Sequence, residues 1–403
     1  MANIQIITGN TAAAIGAMLC DVQVVAAYPI TPQTSLSEML SKYIESGELK
    51  AEYVGVESEH SAMTVCIAAS TTGARAFTAS SANGLLYMHE QLHWAAGSRL
   101  PIVMCCVNRG VAAPWSIFND QQDSFSQRDT GWIQLYCRNN QEIIDTVIQA
   151  YKLAEAVYVP VMVCYDGFVL SHTMMPVEIP DAATVKAFLP PYKPYAVLSP
   201  EDPKDFNPVT FPWRRENAEG VLCDGYMEKR YKLHKAIEDA SDRIHAIGKE
   251  FAQLFGRDHG GMLWEYKTDD AEIVLTGMGS IACEATVAAD TLRSEGIRAG
   301  VIGIRSYRPF PKYEIRKAFK KTRAAVVLQK SVSYGYEGGL CSEIKAALYG
   351  SGIDIPMYDI ILGIGGRDVK VGELVETAKN AYSDLAAGRR EKPSLWLNCD
   401  TEG

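Results

Sequence analysis

Two α/β domains built on parallel sheets are predicted from three observations. Short β-rich runs alternate with helical patterns through the first 170 or so residues; a proline-dense break follows; and a second alternating set begins near Asp269. In the first set the predicted strands are VVAAY, AEYVGVE, ARAFTAS, PIVMCCV, WIQLY and VPVMVCYD. Helical stretches lie between them, such as TSLSEMLSKYIES and HSAMTVCIAAS. These residues form a first domain over 1–175.

Nine of the eighteen prolines fall between Pro176 and Pro212. Proline removes a backbone donor and blocks helix, so this stretch reads as a long surface crossing. A helix is predicted next, over about Glu228 to Phe255. Leu233, Ile237, Ala240, Ile244, Ile247, Phe251 and Leu254 follow at alternating spacings of four and three, a heptad stripe. Such a stripe serves a coiled coil or, in the reading preferred here, a long helix laid across its own domain or a subunit interface. The crossing and helix occupy 176–260. In the final unit, 261–403, EIVLTG, AGVIGI, AAVVLQ and MYDII read as strands separated by helices.

The bulk properties narrow the function. A net charge of -9 argues against a nucleic-acid-binding surface. No run of about 18 apolar residues occurs, so no membrane span is expected. The N-terminal stretch lacks a basic segment and a small-residue cleavage site, which predicts a cytoplasmic protein without a secretory leader. The ten cysteines form no C-x-x-C pair, and most sit in apolar runs such as IVMCCV. They read as buried packing groups, without the clustering that an iron–sulfur centre needs.

Ligands of parallel α/β sheets bind at the carboxyl ends of the strands. After VVAAY comes Tyr28-Pro29-Ile30-Thr31-Pro32, and after YVGV comes Glu57-Ser58-Glu59-His60. After AFTA comes Ser80-Ser81-Ala82-Asn83-Gly84, and after IVMCCV comes Asn108-Arg109-Gly110. A hydroxyl, a carboxylate, a small polar loop and a guanidinium thus follow four strands. Singly, such a Glu is a favourable charge at a helix start, and such an Arg is a surface ion pair. Together they describe a pocket for a small anion.

The strings AAYPITPQT, VESEHSAM, SSANGL and RLPIVMCCVNRG resemble the alpha subunit of the pyruvate:ferredoxin oxidoreductases. The resemblance continues through SIFNDQQDSFSQRDTGW and resumes at RSYRPFP, GYEGGL and GIGGRDV. It implies a thiamine-diphosphate-binding, pyrimidine-type first domain and a last domain like the carboxy-terminal domain of transketolase. It also implies the catalytic residues. Glu59 is the carboxylate that hydrogen-bonds N1' of the aminopyrimidine, with Glu57 as the alternative in the same motif. Tyr28, Pro29 and Ser81 line the cofactor. Arg109 takes the carboxylate of a 2-oxoacid bidentately, and Thr31 offers its hydroxyl. Relatives that use oxalate carry an arginine at the threonine position, so Thr31 favours pyruvate; a branched-chain 2-oxoacid stays open.

No GDG motif with a fitting downstream Asn occurs, although YDGF and CDGY do. The resemblance accounts for this: a beta subunit binds the diphosphate, with Mg²⁺, and a [4Fe-4S] cluster. A ferredoxin-like delta subunit carries further clusters, and a gamma subunit engages coenzyme A. The implied reaction converts a 2-oxoacid, coenzyme A and oxidised ferredoxin reversibly into acyl-coenzyme A, carbon dioxide and reduced ferredoxin.

Two signals point elsewhere. His89-Glu90-Gln91-Leu92-His93 matches the zinc-protease pattern, but the metzincin position ten residues after His89 is Arg99. Gly277-Met278-Gly279-Ser280-Ile281-Ala282 matches a dinucleotide fingerprint between a strand and a helix. The next strand ends in Arg305 with no acidic residue for a ribose, which leaves open a nicotinamide oxidoreductase using NADP. The preferred reading is a tight turn.

Overall fold

The computed structural model describes residues 3–194, 210–217, 220–389 and 393–400. Much of the proline-rich crossing, residues 195–209, lies outside them. The first unit runs β1 (Ile4–Ile7), α1 (Gly9–Leu19), β2 (Val24–Ala27), α2 (Thr34–Glu45), β3 (Glu52–Gly55), α3 (Glu59–Thr71) and β4 (Ala76–Ser80). It continues with α4 (Ala82–Tyr87), α5 (His89–Gly97), β5 (Val103–Asn108), α6 (Gln122–Phe125), β6 (Ile133–Tyr136), α7 (Asn140–Val157) and β7 (Val161–Asp166). All six strands expected here are present. β5 and β7 are buried at every position, because helices cover both faces of the sheet. Side-chain caps start several helices: Ser58 accepts from the N–H of Ser61 ahead of α3, and Asn139 from that of Glu142 ahead of α7.

β8 (Met175–Glu178) returns to pair antiparallel with β1, and α8 (Ala182–Phe188) follows. A short hairpin of β9 (Arg215–Glu216) and β10 (Leu222–Cys223) leads into α9 (Tyr226–Phe255). Of the heptad stripe, Leu233, Ala240, Ile244, Ile247 and Phe251 are buried, and Leu254 is exposed. The stripe packs on α5, α7 and α8 of the same chain, with Phe188 edge-on to Phe251 at 5.5 Å. Each buried Leu, Ile or Phe of the stripe contributes about 1.5–3 kcal/mol. The stripe is therefore an internal seam, and it is not a free coiled-coil face.

The last unit comprises β11 (Leu263–Tyr266), β12 (Ile273–Gly277), α10 (Ser280–Ser294), β13 (Ala299–Ile304), β14 (Ser306–Arg308), α11 (Lys312–Ala318) and β15 (Ala324–Gln329). It closes with α12 (Gly339–Leu348), β16 (Met357–Ile361), α13 (Val371–Ala386) and β17 (Leu395–Trp396). Its sheet has the order β11-β13-β12-β15-β16-β17, with β11 antiparallel. Alternation along its strands divides two cores. Ile273, Leu275 and Val326 face α10 and α13, whereas Val274, Ile302 and Val327 face a core continuous with the first unit.

The two units also share a sheet. The first sheet has the order β14-β6-β7-β5-β4-β2-β3, so a strand from the last unit forms its edge. β14 pairs antiparallel with β6, Ser306 opposite Leu135, and Tyr307 is fully buried. Among the described residues no helix is long and apolar enough to cross a membrane.

Candidate active site

The four loops singled out in the sequence lie at the carboxyl ends of β2, β3, β4 and β5, adjacent strands of one sheet. Glu59 opens α3 and is only 8% exposed. Among the described residues no hydrogen bond or ion pair to its carboxylate is found. Its oxygens are not fully enclosed, so they stay open to a donor from a ligand. Its wall is Gly84 on α4, where an added Cβ would overlap the Glu59 carboxylate. Glu57, by contrast, is exposed and takes the hydroxyl of Ser61, which holds its carboxyl below the usual range. Of the two acids, only Glu59 points into the fold.

Arg109, 3% exposed, follows β5. Its Nη1 donates to the carbonyl oxygen of Thr31 at 2.8 Å and its Nε to that of Ser116 at 3.0 Å. Trp115 lies 4.9 Å from the guanidinium. Burial lowers the Arg109 pKa, and the charge of Asp123 opposes that shift. Thr31 is exposed beside it. Ser81 is buried at the start of α4, and among the described residues its hydroxyl and that of Ser80 have no hydrogen-bond partner. Tyr28, 36% exposed, and the exposed Pro29 lie on the rim where β2 ends.

The segment Asn119–Asp123, which sequence reasoning noticed only as part of a resemblance, ties these loops together. Asp123 is fully buried. Its Oδ2 accepts from the backbone N–H of Ala82 at 2.9 Å and of Arg109 at 3.0 Å. Its Oδ1 accepts from Asn108 Nδ2 at 2.8 Å and Ser124 N–H at 2.7 Å. Asp120 accepts from the N–H of Gly365 in the last unit at 3.1 Å. The only sequence signal was the pair of acids Asp120 and Asp123 in FNDQQDSF.

The alternative signals resolve into packing. The N–H of Ser280, at the start of the GMGSIA helix, is taken at 2.8 Å by the carboxylate of Asp166 at the end of β7. The place a pyrophosphate would need is filled by the chain's own anion. Arg305 is 2% exposed and bonds to the carbonyl of Gly261 and the hydroxyl of Thr146, with Glu142 at 3.6 Å. It offers nothing to a ribose phosphate. His89 and His93 stack edge-on at 4.9 Å, and His89 Nδ1 is bonded to Gln127. Seven cysteines are buried, and burial pushes the Cys66 and Cys341 thiols up to about 12.

A partnerless carboxylate walled by glycine, a buried arginine and a shared strand-end mouth fit an aminopyrimidine and a small organic acid. Comparison with known proteins agrees. Residues 15–248 match the model of the pyruvate flavodoxin/ferredoxin oxidoreductase thiamine-diphosphate-binding family, and 271–374 match core domain II of pyruvate:ferredoxin oxidoreductase. The chain belongs to this family. It is an alpha subunit of the 2-oxoacid:ferredoxin oxidoreductases. It is 47% identical to ketoisovalerate oxidoreductase subunit VorA of Pyrococcus horikoshii, over 98% of each chain. It is 43% identical to pyruvate synthase subunit PorA of Methanothermobacter thermautotrophicus, over 99% of each. The structure of 2-oxoglutarate:ferredoxin oxidoreductase from Magnetococcus marinus superposes with a TM-score of 0.70 at 19% identity, over 94% of this chain and 65% of that one. This alpha subunit thus has the predicted α/β fold, and thiamine diphosphate is the cofactor of its family.

Proposed function

We propose that this alpha subunit supplies the aminopyrimidine-binding and 2-oxoacid-binding half of an active site completed by a beta subunit, and that its substrate is pyruvate. The observation that carries the reading is the partnerless, nearly buried Glu59 against Gly84, at the same end of the sheet as Arg109 with β2 and β4 between their strands. Thiamine diphosphate, when bound, supplies the carbanion that attacks a 2-oxo carbon. Glu59 would hold N1' of its aminopyrimidine, with Ser81, Tyr28 and Pro29 around it. Arg109 retains N–H groups beyond those given to Thr31 and Ser116, and these face a substrate carboxylate. The Thr31 hydroxyl stands at the same mouth.

Diphosphate, Mg²⁺ and a [4Fe-4S] cluster belong to the beta partner, further clusters to a ferredoxin-like delta subunit, and coenzyme A to a gamma subunit. The complex is cytoplasmic. A second substrate reading, a branched-chain 2-oxoacid, is supported by identities of 45–47% to ketoisovalerate oxidoreductase subunits, which overlap the 42–45% to pyruvate synthase subunits.

The test is to express the chain alone and with its partners and to assay coenzyme-A-dependent viologen reduction. The chain alone, given thiamine diphosphate and Mg²⁺, should be inactive, and the complex active; turnover by the chain alone sinks the shared-site reading. A panel of pyruvate, 2-ketoisovalerate, 2-oxoglutarate and oxalate on the complex decides the substrate, with the highest kcat/KM expected for pyruvate.

A further inference from the structure

Asp123 touches neither Arg109's guanidinium nor Glu59, yet it joins the backbone of Arg109 to the start of the helix that walls Glu59. We infer that Asp123 is a positioning residue that sets the distance between the substrate arginine and the cofactor carboxylate, by holding the start of α4 and the end of β5 on one carboxylate oxygen. The inference rests on the functional reading of Glu59 and Arg109 given above.

Three features support it. First, the geometry is bifurcated. Oδ2 takes the N–H of Ala82 and the N–H of Arg109, residues on different loops, 27 positions apart by number. Ala82 begins the helix whose Gly84 walls the Glu59 carboxylate, and Arg109 carries the guanidinium. One oxygen atom thus holds both the backbone of Arg109 and the start of the helix whose Gly84 walls Glu59.

Second, Ala82 is held in a conformation it would otherwise leave. Its φ is +46°, the left-handed region that costs a residue with a Cβ about 1 kcal/mol or more. Such a conformation persists where surrounding bonds fix it, and the Asp123 bond is one that does so.

Third, the carboxylate is placed as an acceptor and not as half of an ion pair. Burial pushes the Asp123 carboxyl up, and four N–H donors, from Asn108, Ala82, Arg109 and Ser124, pull it back. Both oxygens must accept. An amide at this position presents an NH2 to two N–H groups and loses one pair of bonds. The segment is itself anchored across the domain junction, where the Gln121 N–H donates to the Lys330 carbonyl at 2.8 Å and Gln122 Oε1 accepts from Val332 at 3.0 Å.

The experiment uses the assembled complex carrying Asp123→Asn. Three readings are taken per active site: KM against kcat for the 2-oxoacid, C2-proton exchange of bound thiamine diphosphate, and hydrogen–deuterium exchange of the backbone amides at 82 and 109. We expect KM to rise and C2-proton exchange to fall, each by about tenfold, the scale of one lost charged hydrogen bond. Both amides should exchange faster. A complex made in lower yield but with wild-type KM and C2-proton exchange overturns the inference, because a merely structural aspartate changes only the amount of enzyme. If Asp123→Asn does not assemble, Asn108→Ala decides by the same readings, since it removes one donor and leaves the other three. It should shift KM and C2-proton exchange in the same directions, and wild-type values for it overturn the inference. Glu59→Gln and Arg109→Met run alongside. Wild-type behaviour in those two would sink the functional reading itself, whereas their loss with an unaffected Asp123→Asn would sink only this inference.

Discussion

Arg109 binds Thr31 through the backbone: Nη1 donates to the Thr31 carbonyl at 2.8 Å, so the loop after β2 and the loop after β5 are tied independently of the threonine side chain. Removing the guanidinium should therefore do two things at once. Arg109→Met is expected to raise KM for the 2-oxoacid by one to two decades, the equivalent of about 1.5–3 kcal/mol, and to loosen the Thr31 loop. Arg109→Lys should recover little, because one ammonium does not reproduce a planar fork that bonds two carbonyls and, in the proposed role, a carboxylate as well. Steady-state kinetics of the complex check both; a KM within twofold of wild type in Arg109→Met would remove Arg109 from the site.

Thr31→Ala should be the milder change. It deletes the hydroxyl and keeps the carbonyl that Arg109 uses, so the loop stays in place. We expect a rise in KM of about tenfold or less, the scale of one neutral hydrogen bond, without a change in Tm. A loss as large as that of Arg109→Met would contradict this division between backbone and side chain.

Gly84→Ala adds one methyl group against the Glu59 carboxylate. Overpacking of this kind costs about 1–3 kcal/mol, and here the strain falls on a functional group. C2-proton exchange of bound cofactor should fall well over tenfold, with a Tm shift of only a few degrees. Unchanged exchange would place the aminopyrimidine elsewhere.

Asp120 predicts a pH dependence of stability. Burial, and then the charge of Asp123, push its carboxyl up from 3.8 to about 6. The folded state thus holds the proton more tightly than the unfolded chain. The stabilisation from protonation is fully present below about pH 4 and is lost as pH rises through about 6. Its size is of order 2–3 kcal/mol, at about 1.4 kcal/mol for each tenfold gain in proton affinity. Tm measured between pH 4 and 7 should show this contribution in the wild type and lack it in Asp120→Asn; identical profiles would refute it.

Asp166 caps α10 and lies 3.8 Å from the buried Lys330. Asp166→Ala should cost about 3 kcal/mol, because it takes a carboxylate from beside that buried ammonium and the acceptor from the Ser280 N–H. In the intact complex, fluorescence titration with NADH and NADPH should find no binding at this turn. Saturable binding abolished by a substitution at Ser280 would restore the dinucleotide reading.

Much of this architecture was legible in advance. Continuous apolar runs such as VMVCYD declare buried parallel strands, and the heptad stripe of α9 declares its buried face. The pairing of β14 with β6 was not legible, because the three residues SYR carry no strand periodicity. At the site, the loops that carry Glu59 and Arg109 could be located because they follow strands, whereas the roles of the two residues come from the family resemblance and are tested by the substitutions above. Asp123 and Asp166 could not be placed, because their partners are backbone N–H groups from distant segments. The local sequence also cannot show that Asp166 fills the turn that otherwise reads as a nucleotide fingerprint.

The edge strand β14 has a consequence for biogenesis. A ribosome that has released the first 260 residues has made every parallel strand of the first sheet but not its seventh member, so β6 waits with one side unpaired. An unpaired strand side is a template for pairing with another chain. The nascent protein is therefore vulnerable until Ser306–Arg308 emerges and covers β6. A chain terminated before that point would keep the loops after β2 to β5 and lose the strand that shields β6 from self-association.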